Sequence, residues 1–343
     1  MNSVVTIAWL DPQPAEEVEF AQRLLPGGFE IFAPTGDDPG ERSLLLAEAD
    51  AIVTRHVPVD ERVLLDAPRA RFVQKYGGRE DGLDLGAAER AGAAVAVMPL
   101  RGCIAVAELA MTLVLALSKQ LVQAHTATAD GAYRDLGLEP VRTSERVIAF
   151  QWMKLPSLFE VHGKTLGIVG YGEIGTEVSR RARAFGMNVL YTKRDRLPAA
   201  LELRLGVEWR DLDALLAESD VVLLTVPHTA ETERLIGERE LQLMRPGAYL
   251  ANTARGGLVD EDALVRALRE RRIAGAALDV FVDEPVPHDH PLLSLDNVIL
   301  TPHIGGGTGG ARVKQMSDVL DNIVRFFRDG EALHVLRAEA GGK

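Results

Sequence analysis

With 343 residues, 47% of them hydrophobic and 26% charged, the chain has an ordinary globular composition and enough length for two domains with separate cores. A formal net charge of −12 argues against a nucleic-acid surface, so no nucleic-acid partner is expected. The single cysteine, Cys103, excludes an internal disulfide and a cysteine-rich metal site, and with no zinc motif present no metal is expected. Residues 1–10 have neither a basic run nor a long apolar segment and read as a first strand, not a signal peptide. The most apolar stretch, 104–117, contains Glu108 and falls short of a membrane span, so a cytoplasmic chain with no membrane partner is expected.

Strands are predicted at 4–10, 30–33, 51–54, 70–75 and 92–98, with helices at 15–25, 44–48 and 60–65. This alternation, with short connections, predicts parallel α/β packing in a small doubly wound domain. Residues 105–121 read as a long, largely buried helix crossing from the first domain into the second. Between 123 and 162 the periodicity is poor, and Trp152, Met153, Leu155, Leu158 and Phe159 cluster. A structureless loop of that length is unusual inside a compact domain. The region 121–162 is therefore expected to be an arm that wraps a second copy, giving a homodimer; packing on its own subunit is the alternative.

From 166 to 300 strands and helices alternate again, with strands expected at 166–169, 188–192, 221–225, 248–251, 275–278 and 297–300. Helices are expected at 173–185, 211–217, 238–243 and 260–270, then a final amphipathic helix at 313–328 and a loosely ordered tail beyond Gly330. The first strand of this half runs into Gly170-Tyr-Gly172-Glu173-Ile174-Gly175 and then a helix. In a dinucleotide site the first glycine permits the tight turn and the second lets the backbone approach a pyrophosphate. The third lets helix and strand pack closely. The helix N-terminus then offers unpaired N–H groups to the phosphates.

Three further stretches carry chemistry: Asn252-Thr-Ala-Arg255-Gly-Gly, Ala277-Leu-Asp279 through Glu284-Pro285, and Thr301-Pro-His303-Ile-Gly-Gly306. Together with the glycine turn and Val226-Pro-His-Thr-Ala-Glu-Thr232, the chain resembles the NAD(P)-dependent D-2-hydroxyacid dehydrogenases, over nearly its whole length. Reducing a 2-keto acid takes a hydride donor, a proton donor and a cation for the carboxylate. His303 suits the proton, since an imidazole titrates close to working pH. Glu284 would orient it and favour its protonated form, and Arg255 offers a planar fork for a carboxylate. The resemblance puts these three roles on the same residues. It also implies that Asp279 holds the nicotinamide carboxamide and that Val226, Pro227, Thr253 and Ala254 line the cofactor. Thr232 would reach the phosphates, and Gly306 would complete the site. His228 is expected to be solvated, His288 and His290 to lie in a surface loop, and Cys103 to be a packing residue.

NAD-preferring sites carry an acid at the end of the second strand; here that position is Thr192, followed by Lys193 and Arg194. NADP is therefore the expected cofactor, with NAD, held by Asp195, as the alternative. The resemblance places a substrate loop at Lys75-Tyr-Gly-Gly78-Arg79, where Arg79 departs from the common pattern. Arg79 either pairs with Glu80 at the surface or adds a cation for a doubly acidic substrate; both readings stay open. Within the family, glyoxylate or hydroxypyruvate reduction with NADPH fits best. Phosphoglycerate and phosphite dehydrogenases stay open, although the chain stops at Lys343 with no added regulatory domain. A formate dehydrogenase would carry glutamine at Glu284, and a dinucleotide-sensing corepressor would carry binding tails. The implied architecture is two Rossmann-like doubly wound domains, a nucleotide domain at 102–303 inserted into a substrate domain of 1–101 plus 304–343. Hinges would lie near 100–102 and 304–306, with the active site in the cleft.

Overall fold

The computed structural model describes residues 4–306 and 311–337. It divides the chain into two compact units, Met1–Ile104 with Thr308–Lys343, and the continuous stretch Ala105–Gly307. The second unit is thus an insertion in the chain of the first.

In chain order the first unit opens with β1 (Val5–Trp9), α1 (Ala15–Leu24), β2 (Phe29–Phe32), α2 (Pro39–Ala47), β3 (Ala51–Thr54) and α3 (Glu61–Asp66). β4 (Phe72–Tyr76), α4 (Leu85–Arg90) and β5 (Ala94–Met98) follow, and α5 (Arg101–Ser118) begins just before the second unit. The second unit continues with α6 (Leu121–Ala129), a short 3-10 turn at Ala132–Leu136, β6 (Thr165–Val169), α7 (Glu173–Ala184) and β7 (Asn188–Thr192). Next come α8 (Ala199–Leu205), β8 (Glu208–Trp209), α9 (Leu212–Glu218), β9 (Val221–Leu224), α10 (Glu238–Leu243) and β10 (Tyr249–Asn252). α11 (Glu261–Arg269), β11 (Gly275–Leu278) and β12 (Val298–Leu300) complete it. The chain then supplies α12 (Ala311–Asp329) and β13 (Val335–Leu336) to the first unit.

Each unit is a doubly wound sheet. The first has the order β13-β5-β4-β3-β1-β2, parallel except for β13, and the second β12-β11-β10-β9-β6-β7-β8, parallel throughout. Strands such as Val221-Val-Leu-Leu224 are buried at every position, as expected for parallel strands covered on both faces. In the second sheet the order reverses at β6, which lies between β9 and β7. Ligands of open α/β sheets bind beyond the carboxyl ends of the strands at such a point, and the glycine turn follows β6 directly.

Several expectations need correction. The helix expected at 105–121 starts at Arg101 and stops at Ser118. The chain turns through Gln120 at φ 46° before α6 resumes. α5 is also long and apolar enough to cross a membrane by composition, contrary to the reading of 104–117. Ala107, Ala110, Met111, Val114 and Leu117 instead sit in the core around Leu166, Ile168 and Tyr191. α4, α8 and β8 were not foreseen; α4 is only six residues, started by Asp84 accepting the Ala87 amide at 2.8 Å. The tail beyond Gly330 is ordered as far as β13, whose Val335 and Leu336 pair with Ala96 and Val95. Residues 338–343 of that tail lie outside the described residues.

Asn322 of α12 locks this return in place. Buried, it donates to Gln74 Oε1 at 2.7 Å and to the Leu333 carbonyl at 3.1 Å, and accepts the Leu333 amide at 2.6 Å. Asn322→Ala leaves buried donors and acceptors without partners and should lower the unfolding free energy by about 2 kcal/mol. Urea unfolding measures it; an unchanged midpoint would contradict the assignment.

Candidate active site

Arg255, Glu284 and His303 all belong to the second unit, beyond the carboxyl ends of β10, β11 and β12. Each is delivered by a loop whose backbone is tied down. Arg255 follows β10 in the segment Thr253–Arg255. Buried Asn252 accepts the Ala254 amide at 3.0 Å and donates to the Arg255 carbonyl at 2.8 Å. Gly256 lets this loop pass against the neighbouring chain: a Cβ there would stand 1.9 Å from the Phe281 carbonyl carbon. The Arg255 side chain is exposed and donates to the Ala254 carbonyl at 2.5 Å.

His303 sits in the left-handed region at φ 53°, which a non-glycine residue holds only when its surroundings impose it. They do. Asp279, 1% exposed at the end of β11, accepts from the Thr301 hydroxyl at 2.6 Å and from the Ile304 and Gly305 amides at 2.9 Å each. Three donors around one buried carboxylate clamp the turn on both sides of His303. Asp279 is the residue expected to hold the nicotinamide carboxamide; within this unit its carboxylate also accepts the three donors of the His303 turn.

The His303 Nδ1 lies 2.7 Å from Glu284 Oε2, and Glu284 Oε1 accepts the Phe281 amide at 3.0 Å. The His303 hydrogen bond is the main reason the Glu284 carboxyl is held below the usual carboxylate range. Partial burial opposes it, while the Phe281 amide and the Arg255 charge add to it. The Arg255 effect puts that guanidinium within electrostatic reach of the couple. A cavity of about 500 Å³ opens beside it, lined by Phe281, Pro285, Val286, Leu293, Leu300 and His303 among others.

The nucleotide end follows the same logic. Gly170 turns at φ 96°, where a Cβ would meet the Val226 amide nitrogen at 2.7 Å. Gly172, at the N-terminus of α7, has no side-chain cap and nothing within 4 Å of a would-be Cβ, so a phosphate has room there. Glu173, Ile174 and Gly175 form the first turn of α7. Among the described residues the buried Thr253 Oγ1 has no hydrogen-bond partner. An open helix N-terminus after β6 and an orphaned hydroxyl after β10, both beyond the carboxyl ends of the same sheet, fit a dinucleotide.

Other assigned residues are differently engaged. Thr232 Oγ1 donates to the Pro227 carbonyl at 2.7 Å and accepts the Thr229 amide at 2.8 Å, closing its own turn. His228 is exposed, as expected for a solvated side chain, and pairs with Glu233 over Gly257. His290 lies 3.3 Å from Glu261 and accepts the Leu292 amide at 3.3 Å. Gly306 is exposed. In the first unit Lys75 is buried and donates to the Asp81 carbonyl at 3.3 Å, while Arg79, next to Gly78, pairs with Asp81 at 2.7 Å. Sequence reasoning missed Asn252 and Thr301 as supports. Both stand inside the quoted motifs, where polar residues at strand ends were the available signal.

The profile described as D-isomer specific 2-hydroxyacid dehydrogenase, NAD binding domain, matches residues 111–305. The chain is 44% identical over 286 residues to a glyoxylate reductase of Thermococcus gammatolerans, covering 83% of this chain and 81% of that one. Among solved structures, a glyoxylate reductase from Paecilomyes thermophila aligns with a TM-score of 0.55 and 31% identity, over 97% of this chain and 98% of the other. An NADPH-dependent glyoxylate/hydroxypyruvate reductase from Sinorhizobium meliloti, in complex with NADP and malonate, aligns at 0.51 and 28% identity, over 99% and 100%.

The clamp around Asp279 is testable on the protein alone. Asp279→Asn replaces one acceptor oxygen by a donor facing amide or hydroxyl donors and should lower the unfolding free energy by about 1–3 kcal/mol. Hydrogen exchange at Ile304 and Gly305 should accelerate in the same variant. Unchanged exchange there would contradict the clamp.

Proposed function

The chain belongs to the D-isomer specific 2-hydroxyacid dehydrogenases, NAD(P)-dependent oxidoreductases, and on that premise we propose that it reduces glyoxylate or hydroxypyruvate to the 2-hydroxy acid with NADPH. The observation that carries this reading is the His303–Glu284 couple at 2.7 Å with the Arg255 charge acting on it. The bound nicotinamide would supply the hydride to the carbonyl carbon. Arg255 holds the substrate carboxylate through paired charge-assisted hydrogen bonds. His303 donates a proton from Nε2 to the carbonyl oxygen, while Glu284 keeps Nδ1–H bound and steadies the imidazolium. In the oxidative direction the same nitrogen takes the proton back. Arg79 is engaged by Asp81 in its own loop, which favours simple 2-keto acids over doubly acidic ones.

NADPH is favoured by Lys193 and Arg194 following Thr192, where an acid would repel a 2′-phosphate. The relative from Sinorhizobium meliloti is NADPH-dependent by name. We also read the chain as a homodimer. Val141, Ile148, Phe150 and Trp152 of the irregular segment after α6 are exposed, and a second copy of the same surface would cover them.

Initial rates over a panel of 2-keto acids with both reduced nucleotides test the function. Glyoxylate or hydroxypyruvate should lead, with kcat/KM about tenfold or more higher for NADPH; a comparable preference for NADH would end the cofactor reading. Arg255→Ala should raise KM for the keto acid by more than about tenfold, through the loss of its paired charge-assisted hydrogen bonds to the carboxylate. The Glu284 carboxyl is held below the usual carboxylate range, so the couple is present above that lowered value and is lost as pH falls through it. Glu284→Gln should abolish that acid-side loss and slow keto-acid reduction by about tenfold or more. An unchanged reduction rate in Glu284→Gln would contradict the couple.

A further inference from the structure

Beside the nucleotide end stands a buried carboxylate that the proton-transfer couple does not use. Glu202 of α8 is 7% exposed. It takes Arg196 in a two-pronged pair, Nε to Oε1 at 2.9 Å and a terminal guanidinium nitrogen to Oε2 at 2.7 Å. Oε1 also accepts the Tyr191 hydroxyl at 2.7 Å. That hydroxyl in turn accepts the Leu197 amide at 2.9 Å, so Tyr191 and Leu197 close a loop whose middle is Thr192, Lys193, Arg194 and Asp195. The Arg196 guanidinium lies 5.6 Å from the centroid of the Trp209 ring in β8, which holds it from the other side.

The brace reaches the glycine turn as well. The Tyr191 ring stands 4.7 Å, centroid to centroid, from that of Tyr171, the residue between Gly170 and Gly172. The Tyr171 hydroxyl is 2.6 Å from Ser179 Oγ on α7. Burial and the Glu202 bond push the Tyr191 phenol up, so it stays a donor, and the Arg196 bonds hold Glu202 down as a carboxylate. A continuous row of packed and hydrogen-bonded side chains thus connects the pyrophosphate turn with the loop carrying Lys193 and Arg194. Arg196 is committed to it; Lys193 and Arg194 are the other two cations of that loop.

We propose that Glu202, with Tyr191, is a positioning residue that fixes the Lys193–Asp195 turn for the adenosine 2′-phosphate and so sets the preference for NADPH. This rests on the reading of Lys193 and Arg194 as the 2′-phosphate cradle. Two flexible cations on an unbraced loop would keep their charge and lose their aim, since charge-assisted bonds to a phosphate reward fixed geometry. The adenine ribose without its phosphate does not depend on that aim.

Isothermal titration with adenosine 2′,5′-bisphosphate and with AMP reads the phosphate contact without any turnover. Four proteins are compared: wild type, Glu202→Ala, Tyr191→Phe, and Lys193→Ala/Arg194→Ala. The wild type should bind the bisphosphate more tightly, and the double variant should lose that advantage. Glu202→Ala and Tyr191→Phe should weaken the bisphosphate about tenfold and leave AMP within about twofold. KM for NADPH should rise in parallel while KM for NADH holds. Tyr191→Phe keeps the ring and its packing, so it decides the matter if Glu202→Ala fails to fold. Equal weakening of both ligands, or an unchanged or tighter bisphosphate in both brace variants while the double variant loses it, overturns the brace. If the wild type itself does not distinguish the two ligands, the cradle reading fails and takes the proposal with it.

Discussion

A buried anion that must satisfy three donors governs the shape of this site. Asp279 at the end of β11 draws in the Thr301 hydroxyl and the Ile304 and Gly305 amides. The chain between them passes with His303 turned into the left-handed region. That conformation costs free energy, on the order of 1–3 kcal/mol for a non-glycine residue, and the three hydrogen bonds offset it. The result aims the imidazole at Glu284. Strain at His303, compensated by a buried polar group one strand-end away, gives the imidazole a fixed direction.

The same economy recurs at the other end of the second sheet. Parallel strands end in a row, and buried polar residues at their ends tie the backbone beyond: Asn252 the Arg255 loop, Asp279 from the neighbouring strand the His303 turn, and Tyr191 with Glu202 the two sides of the loop of Lys193 and Arg194. Arg255, Glu284 and His303 are exposed, while Asn252 and Asp279 are buried. This division lets a solvent-facing guanidinium or imidazole keep a defined direction. Glycine serves where backbones must meet, as at Gly256 against Phe281, where any side chain would force the Arg255 loop aside.

Much of this could be read from residue order. Val221-Val-Leu-Leu224 and its neighbours announce buried parallel strands through length and branching, and the glycine turn sits between a strand and a helix as its chemistry requires. Arg255, Glu284 and His303 stand in distinctive local strings. What escaped was short or long-range. α4 and β8 are too brief to show a period, and β13 gains its identity only by pairing with β5, far back in the chain. The break at Gln120 is a backbone event without glycine or proline to mark it. The role of Glu202 depends on a bond to Tyr191 eleven residues earlier, across a turn, and no spacing rule flags a glutamate on a short helix.

The proposed reduction depends on His303 as the proton donor to a keto oxygen. Single-turnover oxidation of bound NADPH by saturating glyoxylate, in wild type and His303→Gln, tests it most directly. The rate constant should fall by about 10²–10⁴-fold, the usual contribution of a positioned general acid, with NADPH affinity unchanged. A His303→Gln rate within a few-fold of wild type would contradict it.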